Sequence, residues 1–122
     1  MRDDRPNIIV EKTFCFSLDI IHFCDLLDDE KKYNLSKQLF RSGTSIGANV
    51  REAQNAQSKA DFIHKMKIAA KEADETWYWL LLCEQAKRYP KNRSLLDQIE
   101  VISKVLSKII SSTKQKTENS QS

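Results

Sequence analysis

Pro6 and Pro90 are the only prolines in this chain, and Gly43 and Gly47 are its only glycines. Tight turns between strands draw on Gly and Pro for backbone angles that other residues resist. A chain of 122 residues with so few of either has little means of making hairpins. Their scarcity favours long helices, and even the two glycines sit one turn apart inside a helical pattern. The length suits one domain with a single modest core. No run of 18 apolar residues occurs, so no membrane span is expected. The opening MRDDRPNIIVEK lacks the basic region and apolar stretch of a secretory signal.

The most informative stretch is Leu35 to Ala53, LSKQLFRSGTSIGANVREA. At about 100° per residue, Leu35, Leu39, Ser42, Ile46, Val50 and Ala53 share one side, a core-facing stripe thinned by a serine. Two glycines and several Ser/Thr residues make a poor helix on propensity, since Gly alone costs roughly 1 kcal/mol against Ala. Such a helix needs tertiary packing to hold it, and its small flank (Gly43, Thr44, Gly47, Ala48) lets another backbone come close. Beside the stripe runs a polar line of Gln38, Arg41, Ser45 and Glu52, with Asn49 at its border. A solvated face would more often carry Lys and Glu, so this line reads as a buried or half-buried hydrogen-bonding seam. Arg41 is its natural fork for carboxylates.

Around this helix the chain divides into three more. Residues 1–7 are a flexible lead-in, and Asn7 is the expected N-cap of a first helix from Ile8 to Asp28. That helix carries two apolar stripes: Phe14, Leu18 and Ile21 on one side, and Ile9, Phe16, Ile20, Phe23 and Leu27 nearly opposite. A helix in a lone bundle needs only one, and the chain is too short to supply a second layer. Self-association is the economical cover. Asp28 to Asn34 forms a charged connection, with Asn34 or Ser36 expected to cap the motif helix, which runs to about Ala56. Ser58-Lys59-Ala60-Asp61 opens a third helix with a box-like cap, extending to about Arg88. Its expected core stripe is Phe62, Met66, Ala69, Ala70, Ala73, Trp77, Leu80 and Leu81. A second line there carries Lys65, Ile68, Glu72, Glu75 and Trp79, and Glu72 and Glu75 are the carboxylates for Arg41. The alternative is a solvated row with partners at i,i+4. Pro90 breaks the pattern, and Ser94 to Asp97 starts a fourth helix whose core stripe is Leu95, Ile99, Ile102, Leu106, Ile109 and Ile110. From Thr113 no apolar residue follows, which predicts a disordered tail over residues 114–122. The folded bundle is thus expected to span residues 8–113.

No catalytic constellation emerges. Gly43 and Gly47 lack the Lys-Ser/Thr that ends a phosphate-binding loop, and neither Ser42 nor Ser45 has a His at helical spacing to activate it. Carboxylate metal sites in bundles use Glu-x-x-His pairs, and the two histidines, His22 and His64, do not follow a Glu at that spacing. No cofactor is therefore expected, and the chain reads as non-enzymatic. Cys15, Cys24 and Cys83 form no CxxC pair and are odd in number, which suits reduced thiols in a cytoplasm.

The net charge of +3 is unevenly spread. Residues 1–30 hold three Lys/Arg against eight Asp/Glu, and residues 85–116 hold eight against two. Such asymmetry steers an anionic partner, or lets the acidic end of one helix lie beside the basic end of another. Lys87, Arg88, Lys91, Arg93, Lys104 and Lys108 are the candidate nucleic-acid contacts, repeated around any homo-oligomer. No base-reading element or helix-turn-helix signature accompanies them, so a Lys-rich soluble exterior is the competing reading.

Arg41-Ser42-x-x-Ser45-Ile46-x-x-Asn49-Val50-x-Glu52, after its Leu-x-x-Gln-Leu lead-in, resembles the signature of a four-helix-bundle family. That family is named for proteins encoded in intervening sequences of bacterial 23S ribosomal RNA. The likeness continues from Asp61-Phe62 through Lys71-Glu72-Ala73 and Glu75-Thr76 to Tyr78-Trp79-Leu80, and covers roughly residues 10 to 110. Ala53 departs from it, where many relatives have Gly. The resemblance implies an all-α, antiparallel up-down four-helix bundle assembling into a homopentameric ring. It also points to accessory proteins of diversity-generating retroelements, which bind RNA or DNA through a basic surface more strongly charged than this chain's. Arg41, Ser45, Asn49, Glu52, Glu72 and Glu75 are the expected structural or interface seam. Two functions are expected in competition: binding of structured RNA or other nucleic acid, and a protein-interaction scaffold without it.

Overall fold

The computed structural model describes residues 7–121, and residues 1–6, the expected lead-in, lie outside it. The described chain is all-α, with helices α1 (Ile8–Asp29), α2 (Tyr33–Ala53), α3 (Lys59–Gln85) and α4 (Arg93–Gln121). Each packs on two others: α1 on α2 and α4, α3 on α2 and α4. This closed circuit is consistent with a four-helix bundle. The contact between α1 and α4 is the sparsest of the four.

Local chemistry sets the helix ends. The Asn7 side chain accepts from the Val10 N–H at 3.4 Å and donates to Gln54 Oε1 at 2.9 Å, tying the start of α1 to the end of α2. The end of α1 is a Schellman turn: Lys32 N–H donates to Leu27 O and Lys31 N–H to Asp28 O. Lys31 there has φ 64, a left-handed conformation that usually falls to Gly and costs other residues roughly 1–2 kcal/mol. Arg88, in the loop after α3, has φ 66. Neither Asn34 nor Ser36 caps α2, contrary to expectation. The helix starts earlier, after Lys32, without a side-chain cap. Ser36 is instead buried, donating to Cys24 O at 3.2 Å while the Cys24 thiol donates to Ser36 O at 3.4 Å. Ser58 caps α3 by accepting from Asp61 N–H, and Asp61 accepts from Gln57 N–H, one residue outside the usual box. The cap of α4 is Asn92, accepting from Leu95 N–H at 3.0 Å, and not Ser94. Helix α4 runs on to Gln121, well past Ile110 where the apolar stripe ends. Extending an existing helix adds one hydrogen bond per residue fixed, so polar residues continue it more readily than they would nucleate one.

The core is made of the expected stripes with instructive exceptions. Phe16, Ile20, Phe23 and Leu27 of α1 are buried within the subunit, as are Leu39, Ile46 and Val50 of α2 and Met66, Ala69, Ala73 and Leu80 of α3. Helix α4 adds Leu95, Leu96, Ile99, Ile102 and Leu106. Burying one such large side chain stabilises by about 1.5–3 kcal/mol. The stripe of α1 left in solvent is therefore the other one, with Phe14 54% and Leu18 42% exposed. Trp77, expected in the α3 stripe, is mostly outside it at 38% exposure, and Thr76 takes the buried position.

At Gly43 the side chain of Ile20 on α1 fills the space a side chain on α2 would take. A Cβ on Gly43 would lie 2.9 Å from both Cγ1 and Cγ2 of Ile20. Those atoms branch at the Ile20 Cβ, and a β-branched side chain in a helix has one strongly preferred rotamer. Gly43→Ala is expected to lower stability by about 1–3 kcal/mol through overpacking, overriding its helix-propensity gain of roughly 1 kcal/mol. Urea unfolding followed by circular dichroism measures this, and a midpoint that stays level or rises would mean that α1 and α2 separate freely.

Candidate functional site

Arg41 projects from α2 toward two carboxylates of α3. Its Nη1 lies 3.2 Å from Glu72 Oε2, and its Nη2 bonds Glu75 Oε2. Glu72 and Glu75 are three residues apart and share a helix face. The same Glu75 oxygen accepts from Trp79 Nε1 at 3.0 Å. The Trp79 bond, followed by the Arg41 bond, holds the Glu75 carboxyl below its ordinary range, and the Glu75 bond holds the guanidinium above its own. The group lies at the surface, however. Arg41's side chain is 50% exposed and Glu72's 18%, so the carboxylate is sheltered and the cation is not.

The remaining expected seam residues do not join it. Ser45 donates to Arg41 O at 2.6 Å and Asn49 to Ser45 O at 2.8 Å, both satisfying their own helix. Glu52 is exposed and stands 3.8 Å from Lys65 at the other end of α3. The buried polar link between α2 and α3 is elsewhere: the Ser42 and Thr76 hydroxyls are hydrogen-bonded at 2.9 Å with both residues out of solvent. The serine that thinned the α2 stripe was its signal, because a buried hydroxyl needs a partner.

The six candidate basic residues spread over the last loop and along α4. Lys87, Arg88 and Lys91 lie between α3 and α4, and Arg93 opens α4. Lys104 and Lys108 follow on α4, the last about 22 Å along the axis from Arg93 at 1.5 Å per residue. Lys91 donates to Cys83 O at 2.7 Å and to Ala86 O, so it closes the end of α3. Arg93 pairs with Asp97 at 3.1 Å. Lys87, Arg88, Lys104 and Lys108 are exposed.

Burial pushes the Cys24 and Cys83 thiols up to about 11, far from the thiolate a nucleophile needs. Among the described residues, no three His, Cys, Asp or Glu side chains gather as a metal site, and no helix is long and apolar enough to cross a membrane. The features that stand out are contact surfaces. A groove of about 250 Å³ runs between α1 and α2 past Phe14, Leu18, Thr44 and Gly47.

Since Glu75 has a lowered pKa when folded, it stabilises above the unfolded carboxylate range near 4.3, and that contribution is lost as pH falls through the folded value. Between about pH 6 and about pH 3, the Glu75→Gln protein is expected to lose less of its urea midpoint than the parent. Parallel losses would place the acid sensitivity elsewhere. Arg41→Ala should cost under about 1 kcal/mol, as for exposed pairs, and not the roughly 3–5 kcal/mol of a broken buried pair.

Residues 5–108 match the family model described as 23S rRNA-intervening sequence protein. A search of curated proteins finds no match. Among solved structures, the chain is similar to a protein of unknown function from the S23 ribosomal protein family of Bacteroides thetaiotaomicron. The two share 44% identity and a TM-score of 0.79, over 84% of this chain and 97% of that one. The match spans all of α1, α2 and α3 and most of α4, and the chain belongs to the 23S rRNA-intervening sequence protein family.

Proposed function

We propose that this protein is a non-enzymatic, cytoplasmic subunit, an antiparallel up-down four-helix bundle that assembles into a homo-oligomeric ring and binds structured RNA through its basic surface. The observation that carries the assembly is the uncovered apolar stripe of α1. Phe14 and Leu18 stand half in solvent beside a groove floored by small residues of α2, a face that no other described residue dries. Five copies is the number that the family resemblance implies. The antiparallel arrangement is supported by Asn7 at the start of α1 meeting Gln54 at the end of α2, and by Glu52 near the end of α2 standing beside Lys65 in the early part of α3. Three unpaired thiols suit a reducing compartment. The seam residues Arg41, Glu72 and Glu75 fix the register of α2 on α3, with no chemical role.

A specific observation favours the competing scaffold reading, in which the ring carries a protein partner and no nucleic acid. Lys91 and Arg93 are already engaged within the subunit, so fewer cations are free for phosphate than the sequence suggested. Salt decides between the two. RNA binding should weaken steeply as salt rises and drop when Lys87, Arg88, Lys104 and Lys108 are changed to Gln. Lys91 is left intact because its loss would unfasten α3.

Light scattering on the parent protein is expected to give a multiple of 14.2 kDa, and Leu18→Glu a single subunit with its helix content retained. A parent mass of one subunit would end the ring reading. In gel-shift titrations of a structured RNA at low and physiological salt, no retention at either would leave the scaffold as the function.

A further inference from the structure

A pocket of about 530 Å³ lies between the start of α2 and the end of α3, and nothing above gives it a role. Its volume falls within the about 300–1,000 Å³ typical of small-molecule sites. Leu35, Trp79, Leu82 and Tyr89 supply apolar and aromatic walls. Three amide side chains line it as well, those of Asn34, Gln38 and Gln85. Aromatic planes stack on flat π systems, and amides both donate and accept. Such a lining fits a flat heteroaromatic group with hydrogen-bonding edges.

Both rings are held in place. Trp79 is pinned through Nε1 to Glu75, which Arg41 anchors from α2. Tyr89 has the Lys32 ammonium 4.7 Å from its ring centroid. That contact also joins two loops, the first of them carrying Glu30 after Asp28 and Asp29 of α1. Lys31 and Lys32 lie in one, while Lys87, Arg88 and Lys91 lie in the other, which has no acidic residue. The left-handed positions carry a further message. Gly adopts this conformation freely, yet Lys31 and Arg88 occupy it in the two loops that meet at Tyr89. Cations stand where backbone preference alone would place glycine.

We propose that this pocket receives one unpaired base of an RNA strand. Trp79 and Tyr89 stack on the base, Asn34, Gln38 and Gln85 meet its edge, and Lys31, Lys32, Lys87 and Arg88 hold the neighbouring phosphates. A paired base presents no free face to such a pocket, so loops and single-stranded segments are the target. The inference rests on the RNA-binding reading above and adds to it a defined position and a preference for unpaired nucleotides.

The test uses the full chain carrying Trp77→Phe, which leaves Trp79 as its only tryptophan. Its probes are an oligoadenylate of about ten nucleotides, within the site sizes of single-strand binders, and an RNA duplex of equal length. Trp79 emission is expected to change on adding the single strand, which should bind about tenfold more tightly than the duplex at equal salt. The paired changes Lys31→Gly and Arg88→Gly should weaken single-strand binding about tenfold and flatten its salt dependence while raising the urea midpoint. Loss of binding then has no explanation in misfolding. Gln38→Ala, at an exposed position, should weaken binding several-fold without moving the midpoint. RNA bound with silent Trp79 and an affinity indifferent to these changes would overturn the pocket and leave the basic-surface reading standing. Duplex bound as tightly as the single strand would do the same. Failure of both probes to bind even at low salt would overturn both.

Discussion

Everything in this subunit leans on how closely α2 can lie against its two neighbours. On one side Gly43 admits Ile20 to a distance that a methyl group would forbid. On the other, Ser42 bonds Thr76 in the dry interior. Adjacent residues of one helix thus set two interfaces, one by absence of bulk and the other by a satisfied hydroxyl. Helix propensity works against both choices, since Gly and Ser are indifferent helix formers. The helix survives because large neighbours such as Ile46, Leu39 and Val50 are driven out of water on the same face.

Much of this was legible beforehand because apolar periodicity is a strong signal. The four helices, the α2 stripe and most of the α3 and α4 stripes follow from residues recurring at helical spacing. What periodicity cannot decide is which of two stripes on one helix turns inward. For α1 the answer came from volume: Ile20 must fill the notch at Gly43, which places Phe16 and Phe23 inside and Phe14 outside. Capping was less legible. Asn92 and Ser94 are equivalent on composition, and only backbone geometry picks the former. Ser36 looked like a cap and proved to be a buried cross-link to Cys24. The polar line on α2 misled for a related reason. Ser and Asn side chains readily bond the carbonyl one turn back, so Ser45 and Asn49 need no partner on another helix. Arg41 has no such local option, and its side chain reaches Glu72 and Glu75 on α3.

The charged groups divide by task. Arg41 is half exposed, where attraction is weak, yet it and Trp79 share one oxygen of Glu75, which fixes the indole. Lys91 is spent on the open carbonyls at the end of α3, and Asn92 on the first turn of α4. The loop between these helices is thereby stapled at both ends without a glycine. That leaves Lys87 and Arg88 facing water on a fixed frame, where ordering them costs little additional entropy.

The circuit of four helices closes through its weakest contact, that of α1 with α4. These are also the first and last helices, so no connecting loop bridges them. Parting that edge alone would leave α1 seated on α2 through Ile20 and Gly43, so the circuit would open into a row of four helices without releasing any of them.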